Sequence, residues 1–490
     1  MNREPHSLCT SFTPNRCPET TESGFPTVQL RVNPVTKRKI QTEHTMNEKP
    51  TPKALSLDLL KSAVAGSAAA FRSRTRLQPA GGEGDKVFPP TYAGAVYARE
   101  DRQINGAKVP CVLLDSVQAQ ANRLEEALQR ALDAGTLKDV PVLNVDFTGL
   151  GLLDEIGRVS SLEAPHRIAD AILRDSLHEG QPFRKSKLGE SLNQASLQNA
   201  TPLYKLCPTA LIFGLWDSTG PKGGLGAKFQ RALVSEIIGV NAQVGVRTSS
   251  RVDPLAIFRE AGPIFRTDPV LLKKDLSLTA WTASIDQALK DSAGKPIAFA
   301  KNKDKKDVAI TDLTKFPDQA KPSTINHGNV TPDVVRNEDK SIAGGGATLD
   351  YAEQTIVLSL PALRKLRFPV DGKTTSERDA AARTVLAALA LTAAALAAES
   401  GFDLRSRCLL WPTDVMKWEL LETPGKTPTE FSVTAKDAIT LLEDAMAAAE
   451  KLGLTWQKEP VKLTPSPNLV ALLKRSQDIA AKTPADAATE

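Results

Sequence analysis

The sequence predicts a mixed fold of strands and helices, and three observations lead there. Val112-Leu113-Leu114 is a short apolar strand that runs through Ser116 into residues spaced as an amphipathic helix. A second strand of β-branched and apolar residues, Val140 to Phe147, is followed by a helix-like stretch opening at Pro165. The run Thr209 to Trp216 (TALIFGLW) then reads as a third, buried strand. Strand–helix–strand–helix–strand fits either an open α/β sheet or a split βαβ, ferredoxin-like palm, and periodicity does not choose between them.

Taken in order, residues 1–45 carry Pro5, Pro14, Pro18, Pro26 and Pro34 with many Ser and Thr and no hydrophobic period. They read as a disordered N-terminal extension with no apolar signal core. Met46 opens a segment that reads like an ordinary start, so the folded domain is expected over 46–490. Arg72 to Gln78 alternates polar and small apolar residues up to Pro79, as a strand does. Ser116 is placed to cap a helix marked by Val117, Ala121, Leu124, Leu128 and Leu132 and closed by Gly135. The helix from Pro165 is expected to reach His178, with Gly180 just past its end. From about 262 to 345 the chain is irregular, with several prolines, KNKDKK at Lys301 to Lys306, and Gly344-Gly345-Gly346. That stretch reads as an insertion or long loop. Thr355 to Leu360 is a further strand, an Ala-rich helix starts near Arg378, and a last helix spans Lys436 to Leu452. Beyond Arg475 the tail is expected to fray. No repeat at solenoid periods is present.

Composition narrows the function classes. The chain has 490 residues, 62 Lys+Arg against 57 Asp+Glu, and a formal charge of +5, which is no polycation but leaves room for a local basic groove. Five Cys without a C-x-x-C pair and five His speak against a disulfide scaffold, a zinc ribbon or a transition-metal enzyme, so no metal and no cofactor are expected. Isolated reduced thiols fit a cytoplasmic protein. Aromatics at 5% are few for a protein that reads single strands mainly by stacking. Between Arg383 and Glu399 lie 15 uncharged residues, fewer than the roughly 20 that span a bilayer. A packed internal helix is expected there, and no membrane partner.

The richest segment is 211–255. Trp216-Asp217 is followed by a turn with Gly220, Gly223, Gly224 and Gly226 and by a predicted helix from Ala227 to about Ile238. Gly-rich turns before helices present backbone N–H groups to phosphate. Neither G-x-x-x-x-G-K-[ST] nor G-x-G-x-x-G fits, since Lys228 and Phe229 stand where those patterns need other residues. On that helix Lys228, Arg231 and Ser235 would share a face, with Lys222 in the turn. Thr248, Ser249, Ser250 and Arg251 then supply hydroxyls and a guanidinium suited to sugar–phosphate contacts. Residues 217–251 hold Lys222, Lys228, Arg231, Arg247 and Arg251 against Asp217 and Glu236, five cations to two anions. The competing reading is a solvated helix face and a polar loop.

The run FGLWDSTGPKGGLGAKFQRALVSEIIGVNA, then GVRTSSRVDPL, resembles the type I-U (I-G) member of the CRISPR-associated Cas-seven backbone family. Upstream, EAPHRIADAIL and RTRLQPAGG resemble it as well, over most of the chain from about Met46. The resemblance implies an α+β fold: an RRM-like (ferredoxin-like) palm with large finger and thumb insertions, the thumb expected within 262–345. It also implies a subunit that polymerises with further copies of itself along CRISPR RNA in a Cascade complex. The guide then pairs with target DNA, beside a guide-end capping or processing subunit and a large subunit, and a separate helicase–nuclease cuts. Protein reads backbone while pairing reads sequence. The RNP aromatic motif of ordinary RRMs is absent from this sequence.

Further candidates have plainer alternatives. His166 and Arg167 are placed to reach RNA, though a lone His in an amphipathic helix is more often structural. Arg72, Arg74 and Arg76 share one face of a strand and would line a groove, or else guard an edge strand against aggregation. Asp217 and Asp253 read as turn residues, and the lysine run at 301–306 as solvated. The expected protein is not an enzyme. The alternative is a metal-independent endoribonuclease that processes precursor CRISPR RNA with His166 as general acid, which lacks an accompanying base.

Overall fold

The computed structural model describes residues 53–220, 228–301, 307–312, 320–337 and 340–482. The predicted extension 1–45, Lys222 with the neighbouring turn glycines Gly223, Gly224 and Gly226, and most of the lysine run (302–306) lie outside the described residues. The principal sheet contains β1 (Ala70–Pro79), β2 (Arg99–Ile104), β3 (Ala107–Asp115), β4 (Leu233–Val240), β5 (Tyr351–Ser359) and β6 (Trp418–Leu421). Their order across the sheet is β6-β1-β5-β4-β3-β2, each antiparallel to its neighbour. Thr429–Ser432 and Lys53–Ala54 extend it beyond β6.

The alternation read in β1 is what the sheet uses. Phe71, Ser73, Thr75 and Leu77 are buried on one face, while Arg72, Arg74 and Arg76 stand on the opposite face. β5 alternates in step, with Ala352, Gln354, Ile356 and Leu358 buried. Against this face pack α1 (Val117–Asp133) and α2 (Ser376–Glu399), and α3 (Ala435–Glu450) lies along α2. Ser116 caps α1 by accepting from Ala119 N at 3.2 Å, and Gly135 adopts φ +71° just past its end. In α2 every residue from Ala382 to Ala395 is buried. Among the described residues this is the one helix long and apolar enough to cross a membrane, and the fold encloses it.

A second sheet joins the chain's two halves: Val461–Pro465 runs parallel to Leu143–Asp146 and antiparallel to Ser176–His178. Between β4 and β5, residues 241–350 leave the sheet as a two-stranded ribbon. Gln243–Val246 pairs Gly344–Thr348, and Thr248–Arg251 pairs Val330–Val334. Past the ribbon, four short strands between Phe265 and Ile310 form a sheet of their own. The whole of the irregular stretch 262–345 falls within this excursion, and its described residues carry short strands where a long loop was the expectation.

Several elements differ from expectation. The helix predicted from Ala227 is absent: Lys228–Phe229 and β4 are strands. The β-branched Val234, Ile237, Ile238 and Val240 suit a pleated surface, and pairing on both sides of β4 outweighs helical spacing. Ser235 therefore points into the core, where its hydroxyl donates to Gln120 Oε1 at 2.6 Å, and shares no face with Lys228. Conversely Thr209–Phe213 is a helix and only Leu215–Trp216 is strand. A run buried on every side has no period to betray its type. The helix expected over 165–178 breaks into a 3₁₀ turn (Arg167–Ala169), a short helix (Ala171–Arg174) and a strand (Ser176–His178). Arg167 at φ +54° and Asp170, which caps by accepting from Ile172 N, interrupt it. The strand expected over 140–147 shortens to Leu143–Asp146, and a helix, Pro467–Lys482, lies beyond the one expected to be last.

Leu389, with no exposed surface, sits among the packed helices. Leu389→Ala is expected to cost about 3 kcal/mol, read as a lower urea midpoint with an unchanged slope.

Candidate functional site

Gly214 is the pivot of the region that carries most of the candidate residues. It turns the chain from helix Thr209–Phe213 into strand Leu215–Trp216 at φ +89°, which glycine adopts without strain. A side chain there would meet Arg231 Cγ at 3.0 Å and Phe229 O at 3.2 Å, so the Arg231 stem lies close against the turn. Leu215–Trp216 pairs antiparallel with Lys228–Phe229, bringing Trp216 opposite Lys228. Leu215 and Phe229 face inward and are buried; Trp216, Lys228 and Arg231 face solvent.

Arg167 anchors this hairpin from below. Its guanidinium donates to both oxygens of Glu125 at 2.7 Å and to Gly214 O at 3.2 Å, and lies 5.4 Å from the Phe213 ring centroid. At 7% exposure it cannot meet a phosphate from outside. The sequence placed Arg167 in an RNA contact, whereas the fold uses it to tie α1 to the turn at Gly214. Burial pushes the Glu125 carboxyl up to about 7, against the pull of Arg167. Asp217 is likewise committed, accepting from Arg184 Nη1 at 2.6 Å. His166 is exposed, and its backbone N–H donates to Asp170.

The other candidates lie elsewhere. Arg72 pairs with Glu419 at 2.7 Å, and Arg74 holds Glu353 through bonds of 2.8 to 3.2 Å. Arg76 lies 3.9 Å over the Tyr351 ring. This row shares one face as expected, but its charge is largely matched within the sheet. Arg72 stands at the sheet end where β4 begins, two residues after Arg231; Arg74 and Arg76 run away from it. Ser249 and Ser250 are exposed on the ribbon. Arg251 donates to Gly328 O and His327 O at 2.8 to 3.0 Å, and Asp253 accepts from Gly328 N and Leu255 N. Those backbone donors hold the Asp253 carboxyl below the usual range. Arg251 and Asp253 therefore brace the insertion from within.

The structure thus joins 166–167, 214–217 and 228–231 and leaves 249–251 on the ribbon. Among the described residues Lys228 and Arg231 have no carboxylate partner, and no group of three or more His, Cys, Asp or Glu could hold a metal. Sequence reasoning passed over Trp216, an aromatic immediately before the turn that it did single out.

Because the raised Glu125 carboxyl binds its proton more tightly folded than unfolded, its contribution favours folding below about pH 4.3 and is lost as pH rises through 7. Between pH 5 and 7.5 the wild type should lose about 2 kcal/mol more stability than Glu125→Gln. Urea titrations at the two pH values measure the difference.

Residues 71–244 match the family model described as CRISPR-associated protein GSU0053. The matched stretch runs from β1 to the start of the ribbon and contains the whole Gly214 hairpin, but stops short of Ser249, Ser250 and Arg251. No curated protein matches the chain.

Proposed function

We propose that this chain, whose residues 71–244 match the CRISPR-associated GSU0053 family model, is a Cas-seven-type, non-catalytic subunit that binds CRISPR RNA and oligomerises along it in a type I-G Cascade complex. The observation that carries this reading is the pair Lys228 and Arg231. Both are exposed, both lack a carboxylate among the described residues, and both sit on a hairpin inside the family-matched stretch. Cations without a protein counter-charge are the ones that gain from displacing the counterions of a polyanion. Arg72 and Arg74 on β1 would first have to give up their carboxylates, and Arg76 its place over the Tyr351 ring.

The strand order supports the finer fold reading. β6-β1-β5-β4, all antiparallel, with α1 between β1 and β4 and α2 between β5 and β6, is the 4-1-3-2 arrangement of a ferredoxin-like, RRM-like palm. The ribbon between β4 and β5 is then the thumb, in position to cross the guide at intervals. Further copies of this chain, a guide-end capping subunit, a large subunit, target DNA and a recruited helicase–nuclease are the partners this role requires, in the cytoplasm.

Single-stranded RNA should bind with an affinity that falls with salt. Lys228→Ala combined with Arg231→Ala should weaken unrelated guide sequences equally and reduce the log–log salt slope by about 1.4, roughly 0.7 for each phosphate contact removed. Fluorescence anisotropy across a salt series reads both. Unchanged binding by the double variant would remove this hairpin from the interface.

The endoribonuclease alternative draws on the exposed His166. Its neighbouring carboxylate, Asp170, accepts from His166 N and Ile172 N as a cap, an arrangement that speaks for structure over proton transfer. Purified protein incubated with precursor CRISPR RNA should leave the RNA intact on a denaturing gel. Cleavage that is lost in His166→Ala would reverse the assignment.

A further inference from the structure

We propose that Trp216 is a stacking platform for a nucleobase of single-stranded RNA, with Lys228 reaching the adjacent phosphate. The proposal rests on the RNA-binding reading above and assigns a second kind of contact to the same hairpin.

Trp216 is 60% exposed, whereas Trp418 and Trp456 are buried. Trp411 is exposed too, but among the described residues no cation lies over its ring, while Lys228 lies over that of Trp216. Its backbone is held from several directions. Leu215 and Phe229 are buried at the hairpin's base, Gly214 O is fixed by Arg167, and Asp217 is fixed by Arg184. An indole on so braced a strand is presented to solvent at little further entropic cost when a planar ligand arrives. The Lys228 ammonium lies 5.7 Å from the ring centroid, across the strand pair. Such a cation over an exposed ring is weakly held, and its stem can swing to a phosphate while the face it leaves receives a base.

Charge selects the occupant. Asp217 and the nearby Asp175 are each bound to an arginine, Arg184 and Arg174, whereas Lys228 and Arg231 have no carboxylate partner among the described residues. An aromatic face flanked by such cations suits a strand that carries bases and phosphates together. An apolar protein partner would have to desolvate both cations without pairing them.

Full-length protein, labelled single-stranded RNA and an otherwise identical strand abasic throughout provide the test. Trp216→Ala should weaken the intact strand about tenfold and Trp216→Phe by less than about threefold, with the salt slope unchanged in both, since stacking releases no counterions. On the abasic strand Trp216→Ala should bind as the wild type does. Equal loss on both strands, or no loss on the intact one, overturns the stacking role while leaving RNA binding in place. No binding of either strand by the wild type overturns the RNA reading and this proposal with it. Gain of a protein partner that depends on Trp216, without any effect on RNA, would assign the indole to a protein interface instead. Thermal melting of each variant distinguishes a lost contact from a lost fold.

Discussion

The fold is assembled against α2, a helix with no solvated face. Fourteen consecutive residues, Ala382 to Ala395, are buried, with α1, α3 and helix Leu57–Ala65 against the helix and Phe71 of β1 and Ile356 and Leu358 of β5 in the same apolar cluster. At about 25 cal/mol per Å² of apolar area removed, each of these buried side chains adds to the driving force of folding. Alanine at so many positions lets the neighbours approach closely. The polar atoms that remain are satisfied locally: Thr384 donates to Ala380 O, while Thr392 donates to Ala388 O and, across the interface, to Ala438 O. Arg383 and Arg367 hold Asp379, which in turn accepts from Phe368 N. A core of this kind fixes where the sheet lies, and the sheet fixes where β4 begins.

That dependence explains which parts of the fold were legible in the sequence. α1, α2 and β1 are long, and their burial follows a pattern or, for α2, an unbroken apolar composition. Ser116, Leu124 and Leu128, or the alternating arginines of β1, signal their element without help from tertiary structure. Segment 209–240 is different. Thr209–Phe213 is apolar on every side, so helix and strand leave the same trace, and β4 takes its conformation from the two strands flanking it. The Gly-rich turn between them carried the strongest functional signal and was also flanked by the segments whose secondary structure was read the wrong way round.

The site was legible in part for the same reason. Lys228 and Arg231 were chosen for a helical spacing that does not exist, yet both face solvent because the hairpin at Gly214 turns them outward. Arg167 looked the equal of any other arginine in the sequence. Only its partner Glu125, 42 residues earlier in the chain, shows it to be a buried tie. Arg72 and Arg74 shared a face as expected, but their carboxylates come from β5 and β6, hundreds of residues away, and charge counted along the chain cannot register that cancellation. What the linear sequence leaves out is which charges already have partners within the fold.

The ribbon between β4 and β5 bears on the order in which the chain assembles. These two strands are central neighbours in the sheet, yet residues 241–350 separate them. Closing a loop of that length directly costs about 3 kcal/mol more than closing a four-residue turn, since each doubling adds roughly 0.6 kcal/mol. The excursion shortens the problem. Its own small sheet between Phe265 and Ile310 pairs residues close in sequence, and each rung of the ribbon then brings the next within short reach. Once that small sheet and the ribbon are paired, the gap left for β4 and β5 to close is far shorter than the 110 residues counted along the chain.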